Sequence, residues 1–225
     1  MLVFPTHRFD FDGHEADIER RVISGGTSVS GEEDLIATDG GGRVFCEFTE
    51  AYLDDPEIAL EWRGLNAAGD GGATPMIVFL GDIRHQLVGD IFIPDTANDS
   101  EADYPATDAS NFVAANAALR ATLLVLTLTH HSAPIRKGMW LSIDHPVVRW
   151  RAYRVAEVVS QNGADLTVRI RPPLREAATP ATPVELANPR CVMRIDGDMR
   201  SPTSFGFAEG SVRFVEHFPG VEGYE

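Results

Sequence analysis

His130 and His131 stand side by side, with Asp144 and His145 following in the same half of the chain. Imidazole titrates near neutrality and ligates metals readily, so this group is the first candidate for a general base or a metal site. Adjacent histidines on a strand point to opposite faces, however, and share one ion poorly. A packed or solvated role is therefore the stronger reading. The carboxylate pairs Asp54-Asp55 and Glu32-Glu33 are of the type that performs acid–base work on glycosidic bonds, but sequence neighbours on exposed segments read as solvated charge. Trp62, Trp140, Trp150 and Tyr153 would stack on sugars if they shared an open face, and at their spacings they fill core or interface more often. Cys46 and Cys191 stand 145 positions apart, which rules out a CxxC pair or a zinc knuckle and leaves two packing thiols. No GxSxG elbow, HExxH helix, GxGxxG turn or GxxxxGK loop occurs. The sequence predicts no enzyme, no catalytic residue, no metal and no cofactor.

The elements that would hold these residues are mostly strands. Residues 43–48 alternate polar and apolar in the two-residue period of a half-buried strand, after a turn at Gly40-Gly41-Gly42. Earlier, Arg21-Val22-Ile23-Ser24 and Thr27-Ser28-Val29-Ser30 flank Gly25-Gly26. Asp55-Pro56 supplies an N-cap and a proline at the first helical position, and Ile58, Leu60, Trp62 and Leu65 continue a helix predicted over 56–68. The apolar run 75–80 reads as a buried strand. Residues 82–111 turn acidic and small, with Asp95, Asp99, Glu101 and Asp103, which predicts a long exposed loop serving as an interface arm or a solvated insertion. A calcium loop needs a central glycine, and none falls between Asp90 and Tyr104.

Residues 118–129 carry a strand's apolar content, although 111–121 also suits a helix. A compact β pattern follows at 138–143, 153–159 and 166–170, with Asn162-Gly163 as the hairpin turn because both residues tolerate positive φ. Pro172-Pro173 ends that run. Val184-Glu185-Leu186 and residues 191–195 are expected to close a small barrel, and residues 211–218 form a last alternating strand in search of a sheet. The fold class is therefore mainly β: a β-sandwich-like N-terminal domain over 1–115 with the helix packed on it, a small β-barrel over 116–200, and a segment 201–225 whose strand returns to the first domain.

A polypeptide of 225 residues can bury a core without staples. Its 44% hydrophobic and 24% charged content is that of an ordinary globular protein. No apolar run of transmembrane length and no leader-like start occurs, so the expectation is a soluble protein made in the cytoplasm, without membrane insertion. Charge is one-sided: residues 1–115 hold 23 acidic and 6 basic side chains, residues 116–225 hold 11 and 13. A net charge of −15 argues against DNA as a bound ligand. Of the 19 basic residues, only Lys137 is lysine.

The succession 138–143, 151–155, Val168-Arg169-Ile170-Arg171-Pro172-Pro173-Leu174-Arg175-Glu176-Ala177, Thr182-Pro183-Val184-Glu185 and 189–194 resembles structural proteins of long-tailed bacteriophages, in particular the distal tail type of siphophage minor tail protein. The likeness spans roughly 120–195 and the closing strand 212–216, and Pro172, Pro173, Leu174 and Arg175 are its sharpest piece. It implies a virion protein of the tail tip, assembled in the host cytoplasm, that forms a ring, commonly a hexamer. Its partners would be copies of itself, the tail tube protein, the tail hub or baseplate proteins and possible tail fibres, with DNA only in transit through the channel. The acidic insertion and the Arg149-Trp150-Arg151 addition depart from the family pattern and supply the interface candidates Asp95, Asp99, Glu101, Asp103, Trp150 and Arg151. The second reading is a carbohydrate-binding or fibre-adaptor module of the tail tip.

Overall fold

Alternation of period two becomes fourteen strands and one α-helix in the computed structural model, which describes residues 1–20, 22–37, 42–81, 100–103, 111–129, 134–200 and 209–219. The strands are β1 (Leu2–Phe4), β2 (Phe11–Glu19), β3 (Val22–Thr27), β4 (Glu33–Ala37), β5 (Arg43–Tyr52), β6 (Met76–Phe79), β7 (Phe112–Val113), β8 (Leu123–Thr127), β9 (Trp140–His145), β10 (Arg149–Asn162), β11 (Asp165–Arg171), β12 (Val184–Glu185), β13 (Arg190–Ile195) and β14 (Glu209–Glu216). The protein is mainly β, with 51% of the described residues in strands.

The first sheet has the order β1-β6-β13-β14-β5-β2. Helix α1 (Pro56–Ala68) starts where the sequence places it: Asp55 accepts the Glu57 N–H at 2.8 Å, and Pro56 needs no partner at the first position. The helix buries Trp62 and Leu65. Trp62 meets Phe4, Phe9 and Phe11 at centroid distances of 6.0, 5.0 and 6.2 Å, and its indole N–H donates to the Arg200 carbonyl at 2.9 Å. Aromatic area fills this core, and the one polar tip of the Trp is satisfied. Gly210 permits the approach, because a Cβ there would stand 2.9 Å from Trp62 Cζ2 and from Leu53 Cδ1.

The second sheet has the order β12-β9-β10-β11-β8-β7. It closes on itself nearly to a barrel: Phe112 bridges Pro183, Val113 N–H donates to the Thr182 carbonyl, and Val184 N–H donates to the Asn111 carbonyl. Inward residues such as Leu126, Leu141, Ile143, Tyr153, Val168 and Ile170 are buried. Trp140 and Ala152 leave this barrel to join the first core, and Trp150 packs with Val3, Ile77, Phe79 and Val192.

Three local expectations are corrected. Residues 190–195 do not close the barrel; β13 is central in the first sheet, paired with β6 (Val192↔Ile77) and β14 (Ile195↔Phe214). Alternation identifies a strand and its buried face, and any sheet with an apolar interior satisfies it. Residues 111–121 are not helical, since β7 and the Ala117↔Ala178 bridge hold them against the barrel. At the hairpin, Asn162 is the last ladder residue opposite Asp165, and the two-residue loop is Gly163-Ala164. Gly163 alone has positive φ, +59°, a glycine-first loop in place of the Asn-Gly pair expected. Gly163→Val puts a β-branched residue in that left-handed conformation and is expected to cost about 1–3 kcal/mol in urea denaturation; an unchanged midpoint contradicts the turn.

Candidate functional site

Polar groups converge first at the seam between the two sheets. Glu216, at the end of β14, continues the inward-facing series Val212, Phe214 and is fully buried. Its carboxylate accepts from Arg175 Nε at 3.1 Å, from Arg175 Nη2 at 2.8 Å and from the Val44 N–H at 3.2 Å, with Arg151 Nη1 at 3.8 Å. Arg151, also buried, donates to the His217 carbonyl at 2.5 Å and the Val192 carbonyl at 3.4 Å. Arg175 reaches the Gly42 carbonyl as well. The Phe218 ring lies 5.0, 5.2 and 5.6 Å from the guanidinium carbons of Arg175, Arg151 and Arg43. One carboxylate thus serves two guanidiniums and a backbone amide from four segments of the sequence, the arrangement that makes a buried charge tolerable.

The Pro172–Arg175 segment is therefore an internal clasp: it leaves β11, buries Leu174 in the barrel core and carries Arg175 across to the first sheet. The clasp also orients a second polar relay. The Arg175 N–H donates to Tyr153 Oη at 3.0 Å, and His145 Nε2 shares a hydrogen bond of 2.9 Å with the same oxygen. His145 is neutral near pH 7. Burial, and secondarily the Arg151 charge, lowers its pKa to about 3. Farther along the seam, Arg190 is sandwiched between the Phe79 and Trp150 rings at 4.8 and 4.9 Å and faces the buried Glu185 at 3.6 Å. Arg154 lies 4.3 Å over Trp140 and donates to Asp17 Oδ1 at 2.6 Å and to the Ala16 carbonyl on edge strand β2 at 2.8 Å.

Two open features remain. A groove of about 570 Å³ between the β5–β14 pair and the 196–200 segment is lined by Glu47, Glu50, Asp196, Asp198, Glu209 and Arg213, among others. Glu50 has φ +56° opposite the register shift between Gly210 and Val212, a bulge that re-aims the strand at the groove's edge. The other feature is the β3–β4 hairpin. It lies between β2 and β5 in the sequence, forms a two-stranded sheet of its own, and exposes every residue from 24 to 33.

The predicted candidates sort clearly on this frame. Trp150 and Arg151 are held inside the protein, 5% and 0% exposed, where they join the two sheets and present nothing outward. Glu101 accepts from Arg149 Nη2 at 2.7 Å and from the Trp150 indole at 3.3 Å. Asp103 ends a short 3-10 turn, while Asp95, Asp99, His130 and His131 lie outside the described residues. Asp144 pairs with Arg149 at 3.5 Å, and burial pushes its carboxyl above the ordinary range against that pull. Asp55 is a helix cap, and Glu32 and Glu33 sit on the exposed hairpin. Trp62, Trp140, Trp150 and Tyr153 are all buried and offer no sugar platform.

Cys46 Sγ lies 3.3 Å from His14 Nε2, a thiol–imidazole contact of the kind that nucleophilic cysteines use. Burial raises the Cys46 thiol well above its usual pKa and pushes Cys191 up to about 12, so neither forms the reactive thiolate near neutrality. Among the described residues no group of three or more His, Cys, Asp or Glu could hold a metal. The seam itself was missed by sequence reasoning. Its one signal was Glu216 at an inward position of an alternating strand, since a charge there demands a partner. No known family model matches the sequence, and no curated protein matches it.

Proposed function

We propose that this protein is a structural subunit of a long-tailed bacteriophage tail, closing with copies of itself into a ring that joins the tail tube to the tail tip or baseplate. The observation that carries this reading is the β3–β4 hairpin. A two-stranded ribbon is marginal alone, and residues 24–33 are all exposed. A surface on another molecule supplies the missing burial. A hairpin that leaves one side of a subunit and lands on a different surface of the next is a heterologous contact, the kind that closes rings. The clasped seam suits the same role, because it makes two sheets one body that can transmit load.

The acidic groove has a place in this assembly. Carboxylates such as Glu47, Glu50, Asp196, Asp198 and Glu209, turned toward the bore, repel the DNA backbone and keep it from sticking in passage. The partners on this reading are further copies of the protein, commonly six in the family it resembles, the tail tube protein and the hub or baseplate. Tail fibres are a further contact for the barrel.

The test is mass photometry of the full-length protein beside a variant in which residues 24–33 are replaced by a two-residue turn. The wild type is expected as closed multiples of the 24.5 kDa subunit, and the variant as monomer with an unchanged denaturation midpoint. A wild type that stays monomeric at every concentration, or a variant that still forms rings, overturns the proposal.

A further inference from the structure

The tip of the β10–β11 hairpin combines features that no structural role requires together. Asn162 and Gly163 are both exposed, and theirs is the single Asn-Gly step in the sequence. Asn162 is held at the end of the ladder opposite Asp165. Gly163 turns away at φ +59°, with nothing within 4 Å of the position a Cβ would occupy. The pairing of residues 162 and 165 leaves the Gly163 amide in the loop, outside the ladder. Among the described residues, no turn or loop hydrogen bond engages that N–H. An unencumbered backbone nitrogen thus follows directly on a solvent-exposed carboxamide, and the absent Cβ removes the steric barrier to their approach.

We propose that Asn162–Gly163 is a self-modification site whose substrate is its own carboxamide and whose only co-reactant is water. The Gly163 nitrogen attacks Asn162 Cγ. A new C–N bond closes a five-membered succinimide, the bond from Cγ to the carboxamide nitrogen breaks, and that nitrogen leaves as ammonia carrying the proton from the Gly163 amide. Water then opens the ring at one of its two carbonyls, giving aspartate or isoaspartate with no change of oxidation state. Either product places a new carboxylate directly across from Asp165, whose Oδ1 accepts from the Thr127 hydroxyl at 3.4 Å. Like charges on paired residues oppose the ladder. Isoaspartate also lengthens the backbone by one methylene and breaks the register at the hairpin's end, so the tip ages toward a more acidic, looser form.

The experiment incubates the native full-length protein in heavy-oxygen water at pH 7 and pH 9, with a denatured sample in parallel, followed by peptide mapping and enzymatic isoaspartate assay. The expected result is heavy oxygen confined to the peptide holding residue 162, with Asn66, Asn111, Asn116 and Asn188 unchanged. Because the deprotonated amide is the nucleophile, the rate rises about tenfold per pH unit while that step limits it. Asn162→Gln, which would have to close a six-membered ring, loses the signal. Conversion in the denatured sample with none in the native protein overturns the proposal by showing that the turn protects the residue, and so does an absence of conversion in both.

Discussion

Replacing Glu216 by alanine is expected to cost about 3–5 kcal/mol of folding stability, one of the largest single effects in the molecule. The carboxylate is fully buried and serves Arg175, Arg151 and the Val44 N–H. Truncation leaves two guanidiniums of the seam without their counter-charge in a place water does not reach. The intact cluster need not be worth that much, because three desolvated ions offset most of their mutual attraction. The cost belongs to breaking the set. Glu216→Gln combined with Arg175→Met, which removes both charges of the shorter pair, should recover part of the loss in a double-mutant cycle. Guanidinium denaturation of Glu216→Ala, of the single variants Glu216→Gln and Arg175→Met and of their double variant measures it, and a loss below about 1 kcal/mol for Glu216→Ala would mean that the clasp does not join the sheets.

Acid should weaken the fold through His145. Its pKa falls from 6.5 in the unfolded state to about 3 in the folded one, chiefly because burial disfavours the imidazolium. The unfolded state therefore binds the extra proton first. The contribution is fully present above pH 6.5 and is lost as pH falls toward 3, at up to about 1.4 kcal/mol per pH unit within that window. Protonation also puts a hydrogen on both ring nitrogens, beside a Tyr153 hydroxyl oxygen that already accepts the Arg175 N–H and with no partner for Nδ1. Stability measured from pH 7 to 4 should fall more steeply in the wild type than in His145→Asn, the difference approaching one proton; carboxylates common to both cancel. Proton NMR of the wild type should show His145 neutral at pH 5. Parallel stability curves, or an imidazole that titrates near pH 6.5, contradict the buried neutral assignment.

Elements that rest on local chemistry could be read from the residues alone. The Asp55-Pro56 start and the Trp62, Leu65 face place α1 correctly because cap, proline and apolar period all agree. The alternation at residues 43–48 yields β5 with its inward Val44, Cys46 and Phe48. Partner choice is a different kind of information. Residues 190–195 suit a barrel edge or a sheet centre equally well, and the turn after Glu185, whose Oε1 accepts from the Ala187 and Asn188 N–H groups, sends them to β6 and β14. The seam was hidden for the same reason. Arg151 and Glu216 are 65 positions apart, and no spacing rule connects them. Arg149-Trp150-Arg151 looked like an outward addition because charge usually faces water; aromatic faces, carbonyls and one carboxylate turn it inward here.

The central claim is that this polypeptide works by assembling with copies of itself. Negative-stain imaging of the purified full-length protein tests it most directly. Closed rings with an open central channel and a fixed subunit number are the predicted result. Isolated particles of single-subunit size across the whole accessible concentration range would contradict it.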